Sequence, residues 1–277
     1  MPERKLVLRH CGKIDPEDIS TYLASGGFQG LKRARDEMSP AEVVEEVKAS
    51  GLRGRGGAGF SCGVKWEMVA TSESPEKFFI CNADEGEVGT FKDRIMLEKD
   101  AFSLMEGILI ACYALGVGHA FLYLREEYSF LAGRLQKAID QATREGFCDG
   151  TVIEMVEGAG AYVCGEESAL MESIEGKRGE PRYRPPFPTD QGLFGKPTVV
   201  NNVETLMNIP WIITHGAGAF KQIGVEKNSG TKVFCVIGDV ERPGVYELAL
   251  GSTVEELVLE HAGARDVRMV QVGGGGG

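Results

Sequence analysis

The sequence predicts an α/β protein with mostly parallel strands, led in by helices and followed by a small module of β-grasp order. Three observations carry this. Between residues 51 and 215, short apolar runs of strand character alternate with stretches of helical period. A glycine-dense segment, Gly51–Phe60, separates two helical stretches. After Glu226–Gly230 (EKNSG) the pattern changes to two strands, a helix and a third strand. The expected divisions are a helical segment over 1–50, the main α/β domain over 51–225, and the β-grasp module over 231–277.

In chain order, Ser39-Pro40-Ala41-Glu42 reads as an N-cap, a proline at the first helical position and a capping-box glutamate, with the helix stopping near Gly51. A helix is expected around Trp66, then a strand at Phe78–Cys81 ending in Asn82-Ala83-Asp84-Glu85. Helices follow over 101–115 and 126–144, strands over 118–124 and 151–156, and a further helix over 165–174. Residues 176–197 hold five prolines without periodicity, a long loop of the kind that is usually functional. A helix over 202–215 closes this part. In the last module, strands are expected at 233–238, 245–250 and 267–272, with a helix capped by Ser252-Thr253-Val254-Glu255. The five-glycine end reads as a flexible tail or a cut within a longer protein.

The 277 residues carry a net charge of −11, so the summed field repels a polyanion and nucleic acid is not an expected partner. The first ten residues lack the apolar core of a signal peptide. The apolar stretch over 104–115 contains Glu106 and is too short to span a bilayer, so a buried helix is expected there. Seven scattered cysteines, never spaced C-x-x-C, read as core residues or free thiols rather than disulfides or a cluster site. The four histidines sit outside the glycine and acid clusters and read as surface or cap residues.

Four clusters carry chemistry. Gly54, Gly56 and Gly59 satisfy G-x-G-x-x-G, and glycines let backbone N–H groups approach a phosphate. A helix rather than a strand precedes them, so a plain glycine turn stays open; Arg53 and Arg55 add charge suited to phosphate. Lys65 follows within reach. Asn82, Asp84, Glu85 and Glu87 sit just after a strand, where α/β proteins bind ligands, and suit ribose hydroxyls, an amide or a ring N–H. A divalent-metal site or a solvated turn are the alternatives for these acids. Glu166 and Glu167, after Gly165, open a helix; capping alone would explain them. Phe187, stiffened by prolines, offers a stacking face, and Asn201-Asn202 offers donors and acceptors, although a core phenylalanine and a helix cap are the ordinary readings. No nucleophile motif accompanies these clusters. That suits chemistry performed by a cofactor.

The motifs G-L-R-G-R-G-G-A-G-F-x-x-G-x-K-W, C-N-A-D-E-x-E-x-G-T-F-K-D-R, G-A-Y-x-C-G-E-E-S-A-L and P-P-F-P…G-K-P-T-x-x-N-N-V-E-T-L resemble the flavoprotein NADH-binding subunit of respiratory complex I, the 51 kDa type. That family includes the matching subunits of NAD-linked and electron-bifurcating hydrogenases and formate dehydrogenases. The opening Leu8–Pro16 is more similar to the soluble hydrogenase and bifurcating branch. The resemblance implies a Rossmann-like FMN-binding domain, then a β-grasp (SLBB-like) module, then a helical domain holding one [4Fe-4S] cluster. Ligands for that cluster are not in this chain, so the β-grasp end is expected to be truncated.

What the resemblance implies for function is hydride transfer from NADH to FMN, with no protein acid or base as catalyst and no metal bound here. FMN would be held by Gly54, Arg55, Gly56, Gly57 and Lys65, with Asn82, Asp84, Gly165, Glu166, Asn201 and Asn202. NAD(H) would lie over it against Phe60, Glu85, Glu87, Glu167 and Phe187. Partners would be a thioredoxin-like [2Fe-2S] subunit and further redox subunits, with the chain in the cytoplasm or peripheral on the inner membrane face through those partners. A non-catalytic nucleotide-binding scaffold, or a metal-dependent hydrolase using Asp84, Glu85 and Glu87, are the rival readings. Acidic residues near the adenosine ribose imply a preference for NADH over NADPH.

Overall fold

In a computed structural model describing residues 3–274, the chain centres on a four-stranded, wholly parallel sheet in the order β3-β2-β1-β4. The strands are β1 Phe78–Ala83, β2 His119–Leu124, β3 Val152–Glu157 and β4 Thr198–Asn202. β1 and β2 are apolar on both faces because both faces are covered, as buried parallel strands require. One face, through Phe79, Cys81, Leu122 and Val199, joins a large core with the helices. The other, through Phe78, Ile80, Phe121, Tyr123 and Val200, packs on Leu170, Met171 and Leu193.

Helices α1 Ile19–Ala24, α2 Gln29–Glu37 and α3 Pro40–Ser50 form the lead-in. The Ser39–Glu42 capping box is made, and Gly51 ends α3 in the left-handed conformation at φ 71°. α4 spans Cys62–Ala70, α5 Lys92–Lys99, α6 Ala101–Leu115, α7 Ala132–Arg144 and α8 Glu167–Ile174. α6 is buried on nearly every side, and its Glu106 is satisfied by the Tyr22 hydroxyl and the amides of Phe28 and Leu31. Among the described residues no helix is long and apolar enough to cross a membrane.

The proline-rich loop carries only the short α9 Pro188–Gln191 before β4. The helix expected over 202–215 is two helices, α10 Val203–Met207 and α11 Ile209–His215, because Pro210 cannot donate back into α10. α12 Ala217–Lys221 and a two-residue hairpin, β5 Gly224–Val225 with β6 Asn228–Ser229, lead to the final module. Its strands β7 Thr231–Val236 and β8 Gly244–Ala249 form an antiparallel hairpin, followed by one helical segment at Glu256–His261. The third strand expected at 267–272 is not formed. Val267, Met269 and Val272 are exposed and no neighbouring strand satisfies their backbone groups. Of the five-glycine end, residues 275–277 lie outside the described residues.

The amino-terminal segment is bound to this last hairpin. The buried Glu247 carboxylate accepts the amides of Leu6, Val7 and Leu8 at 2.9, 3.0 and 2.9 Å. His10 is buried beside Asp100 and Ser103, contrary to a surface or cap role.

Candidate functional site

The chain runs from β1 through β2 to β3 on one side, then returns to place β4 on the other side of β1. The strand order therefore reverses between β1 and β4, the place where α/β proteins form a ligand crevice, and α5 after β1 and α10 after β4 pack on the same face of the sheet. Asn82 and Asn202 are register partners at the crevice floor.

The glycine-rich loop folds over this floor between α3 and α4. It is closed at its base by an Arg53–Ser61 bridge, a Gly54 N–H donated to the Phe60 carbonyl at 2.9 Å, and a Cys62 N–H donated to Leu52. Gly56 rests on Asn202 so closely that a Cβ would fall 2.6 Å from the asparagine Cβ. A Cβ on Gly57 would meet nothing within 4 Å, so the loop presents open backbone there. On the far wall, Asn82 Nδ2 donates to the Gly165 carbonyl at 2.9 Å and its Oδ1 accepts the Asp84 N–H at 3.0 Å. A Cβ on Gly165 would sit 3.3 Å from the Asp84 carbonyl. Gly56, Asn202, Asn82, Asp84 and Gly165 thus form one contiguous surface.

Charge is arranged around it in pairs. Lys65, in the first turn of α4, reaches Glu167 Oε2 at 3.0 Å and the Val200 carbonyl at 3.3 Å. Arg184, from the proline-rich loop, pairs with Glu166 and lies 3.1 Å from Glu167. Glu166 also caps α8, accepting the amides of Ser168 and Ala169. Glu87 accepts the Tyr162 hydroxyl at 2.9 Å. Asp84 is pushed up to about 6 chiefly by burial, with Arg125 opposing and Glu127 adding to the rise. Phe60 and Phe187 are about half exposed, at 49% and 53%. The first stands at the loop base and the second three residues beyond Arg184.

Three expected site residues turn elsewhere. Arg55 is buried, and its guanidinium donates to the carbonyls of Arg53, Ser229 and Thr231. Its amide goes to Thr205 Oγ1, so its charge is spent on holding the loop rather than offered to a phosphate. Glu85 is also buried; its carboxylate takes the amides of Asp93 and Arg94 at the start of α5 and the Tyr128 hydroxyl. That splits the acid triplet: Glu85 faces α5 while Glu87 faces Tyr162. Asn201 points its Oδ1 into the core at Trp66 Nε1, at 2.8 Å.

Sequence reasoning passed over Lys92, Asp93 and Arg125. Asp93 accepts Asn202 Nδ2 at 2.7 Å, Lys92 pairs with Asp93 at 2.7 Å, and Arg125 donates to the Glu85 carbonyl. The F-K-D-R run was visible, but a helix start with mixed charges gives no sign of burial.

Open backbone at Gly57, the Lys65 ammonium on the Val200 carbonyl of β4, and the amide and carboxyl groups of Asn82 and Asp84 suit a flat, phosphate-bearing cofactor. Comparison with known proteins agrees. A family model described as Nuo51 FMN-binding domain matches residues 47–211, and an SLBB domain matches 233–275. The chain is 45% identical to an NADH-quinone oxidoreductase subunit of Rhizobium meliloti (strain 1021), over 97% of this chain and 67% of the relative. It is also 45% identical to NADP-reducing hydrogenase subunit HndC of Solidesulfovibrio fructosivorans, over 99% of this chain and 58% of the relative. Among solved structures, an NAD+-reducing [NiFe]-hydrogenase in the H2-reduced state matches with a TM-score of 0.83 and 41% identity, covering 95% of this chain and 43% of that one. The chain spans roughly six-tenths of the length of such curated relatives. By the extent of these matches, the chain belongs to the family of the Nuo51 FMN-binding domain.

Proposed function

We propose that this chain is the NADH-oxidising flavoprotein part of a multi-subunit oxidoreductase, taking hydride from NADH at bound FMN. The observation that carries the reading is the packing of Gly56 on Asn202 at the strand-order reversal, beside Asn82, Asp84 and Gly165. Bound FMN would supply the hydride-accepting ring. Everything else asked of the chain is binding and orientation, the share a protein contributes when a cofactor does the chemistry.

Under this reading the open backbone at Gly57 and the Lys65 ammonium receive the phosphate-bearing and polar parts of the flavin. Asn82, Asp84 and Gly165 line its other side. Glu167 and Glu87, with the rings of Phe60 and Phe187, form the face for the dinucleotide. The Lys65–Glu167 pair ties the flavin side to the dinucleotide side. Electrons would leave to iron–sulfur centres outside this chain, including a [2Fe-2S] partner subunit. Residues 51–225 would form the cofactor-binding domain, with the module from 231 onward as its companion.

The test is direct. Purified chain mixed with FMN and desalted should stay yellow, and the flavin band should bleach when NADH is added without oxygen. Colourless protein after desalting would end the flavoprotein reading. Yellow protein that NADH fails to bleach would leave a nucleotide-binding scaffold.

A further inference from the structure

We infer that Glu204 is a positioning residue that fixes both walls of the cofactor crevice at once, the glycine-rich loop at Arg55 and the floor at Asn202. The consequence for flavin rests on the functional reading above; the clamp itself does not. Glu204 lies in α10, two residues beyond β4, with none of its surface exposed. Its carboxylate accepts Lys92 Nζ at 3.0 Å, Lys232 Nζ at 3.1 Å and the Val233 N–H at 2.8 Å.

Each lysine leads to one wall. Lys92 also reaches Asp93 Oδ1 at 2.7 Å and Asn202 Oδ1 at 3.4 Å, while Asp93 Oδ2 accepts Asn202 Nδ2 at 2.7 Å. With its nitrogen on a carboxylate and its oxygen on an ammonium, the Asn202 amide has a single orientation. Lys232 donates to the Arg55 carbonyl at 3.1 Å, the peptide that leads into Gly56. Arg55 in turn grips Ser229 and Thr231, so the start of β7 backs the loop. Burial works to raise the Glu204 pKa, but Lys92, Lys232 and the Val233 amide outweigh it and hold the carboxyl ionised. A buried carboxylate held by a buried and a partly exposed lysine is costly to break, because removing Glu204 leaves Lys92 charged and buried, and removing Lys92 does the same to Glu204.

This arrangement makes the β7–β8 module part of the crevice's support. A residue of purely structural importance would loosen the molecule generally; a two-armed clamp fails one arm at a time. Hydrogen exchange over residues 53–60 and 201–206 of the full chain, with and without FMN, separates these. Glu204→Gln should raise exchange in both segments and weaken FMN about tenfold, the worth of one charge-assisted hydrogen bond. Lys232→Met should loosen 53–60 and spare 201–206, whereas Lys92→Met should do the reverse. Wild-type exchange in both segments of a folded Glu204→Gln protein would overturn the inference. So would equal loosening of both segments by each lysine variant, which decides the matter even where Glu204→Gln does not fold. A wild-type chain that takes up no FMN would refute the functional reading, while the exchange pattern would still judge the clamp.

Discussion

Arg55 and Glu85 show how a residue placed beside a ligand motif can serve the scaffold instead. Arg55 satisfies three carbonyls, and no other side chain could reach all of them from that backbone position. Replacing it with methionine keeps the stem but strands the buried carbonyls of Ser229 and Thr231, at a cost of roughly 2–4 kcal/mol. Urea unfolding of Arg55→Met should show that loss, and a variant as stable as the wild type would contradict the assignment. Asp84 supplies a pH test. Its folded pKa of about 6 lies above its ordinary 3.8, so between those values the folded chain holds a proton the unfolded chain has released. Its contribution to stability is therefore largest at low pH and falls as pH rises toward 6, then stays level. Unfolding free energies of wild type and Asp84→Asn, taken across pH 4 to 7, should diverge in that sense, the variant gaining on the wild type as pH rises. A constant difference would mean the Asp84 environment is not desolvating.

The loop's shape depends on the elements at its two ends. α3 and α4 cross so closely at Gly63 that a Cβ there would stand 2.3 Å from Lys48 Cα. The obstacle is backbone, so Gly63→Ala must push the helices apart, costing about 1–3 kcal/mol, and should weaken FMN retention with it. Thermal unfolding and a flavin titration on the same variant check both; stability lost without loss of flavin would uncouple the crossing from the loop. Elements of this kind were the legible ones. The Ser39–Glu42 box and Gly51 announce α3 locally, and the apolar run over 101–115 announces α6. β4 was not legible, because Thr198-Val199-Val200 is three apolar-leaning residues between a proline and a helix cap, and its partner β1 lies over a hundred residues away. Yet β4 creates the strand-order reversal that makes the site. The strand expected at 267–272 erred the other way: its alternation is real, but alternation forms no strand without an edge to pair with. Within the site, glycines and acids were legible as chemistry, while the direction each side chain takes was set by α5 and by residues 229–232, far along the chain.

At the scale of the whole molecule, two long-range effects are open to measurement. The amino-terminal segment closes onto the last hairpin through Glu247, so removing residues 1–9 leaves that buried carboxylate with the Thr231 hydroxyl in place of three amides. The expected loss is about 3 kcal/mol, seen as a lower unfolding midpoint, and an unchanged midpoint would show that water replaces the segment freely. The second effect is the field. A chain of net charge −11 repels an anionic dinucleotide at distances where Lys65 and Arg184 are not yet felt. Near the crevice those two cations face Glu166 and Glu167 in pairs and largely cancel, so the long-range term governs capture. Salt shortens its reach, from about 30 Å at 0.01 M to about 10 Å at 0.1 M. The kcat/KM for NADH, measured with an artificial acceptor, should therefore rise with ionic strength over that range. For NADPH, with its added phosphate, it should start lower and rise more steeply. Values that fall with salt would mean the paired cations, rather than the molecule's acidic surplus, draw the dinucleotide in, and the argument for NADH over NADPH would fall with them.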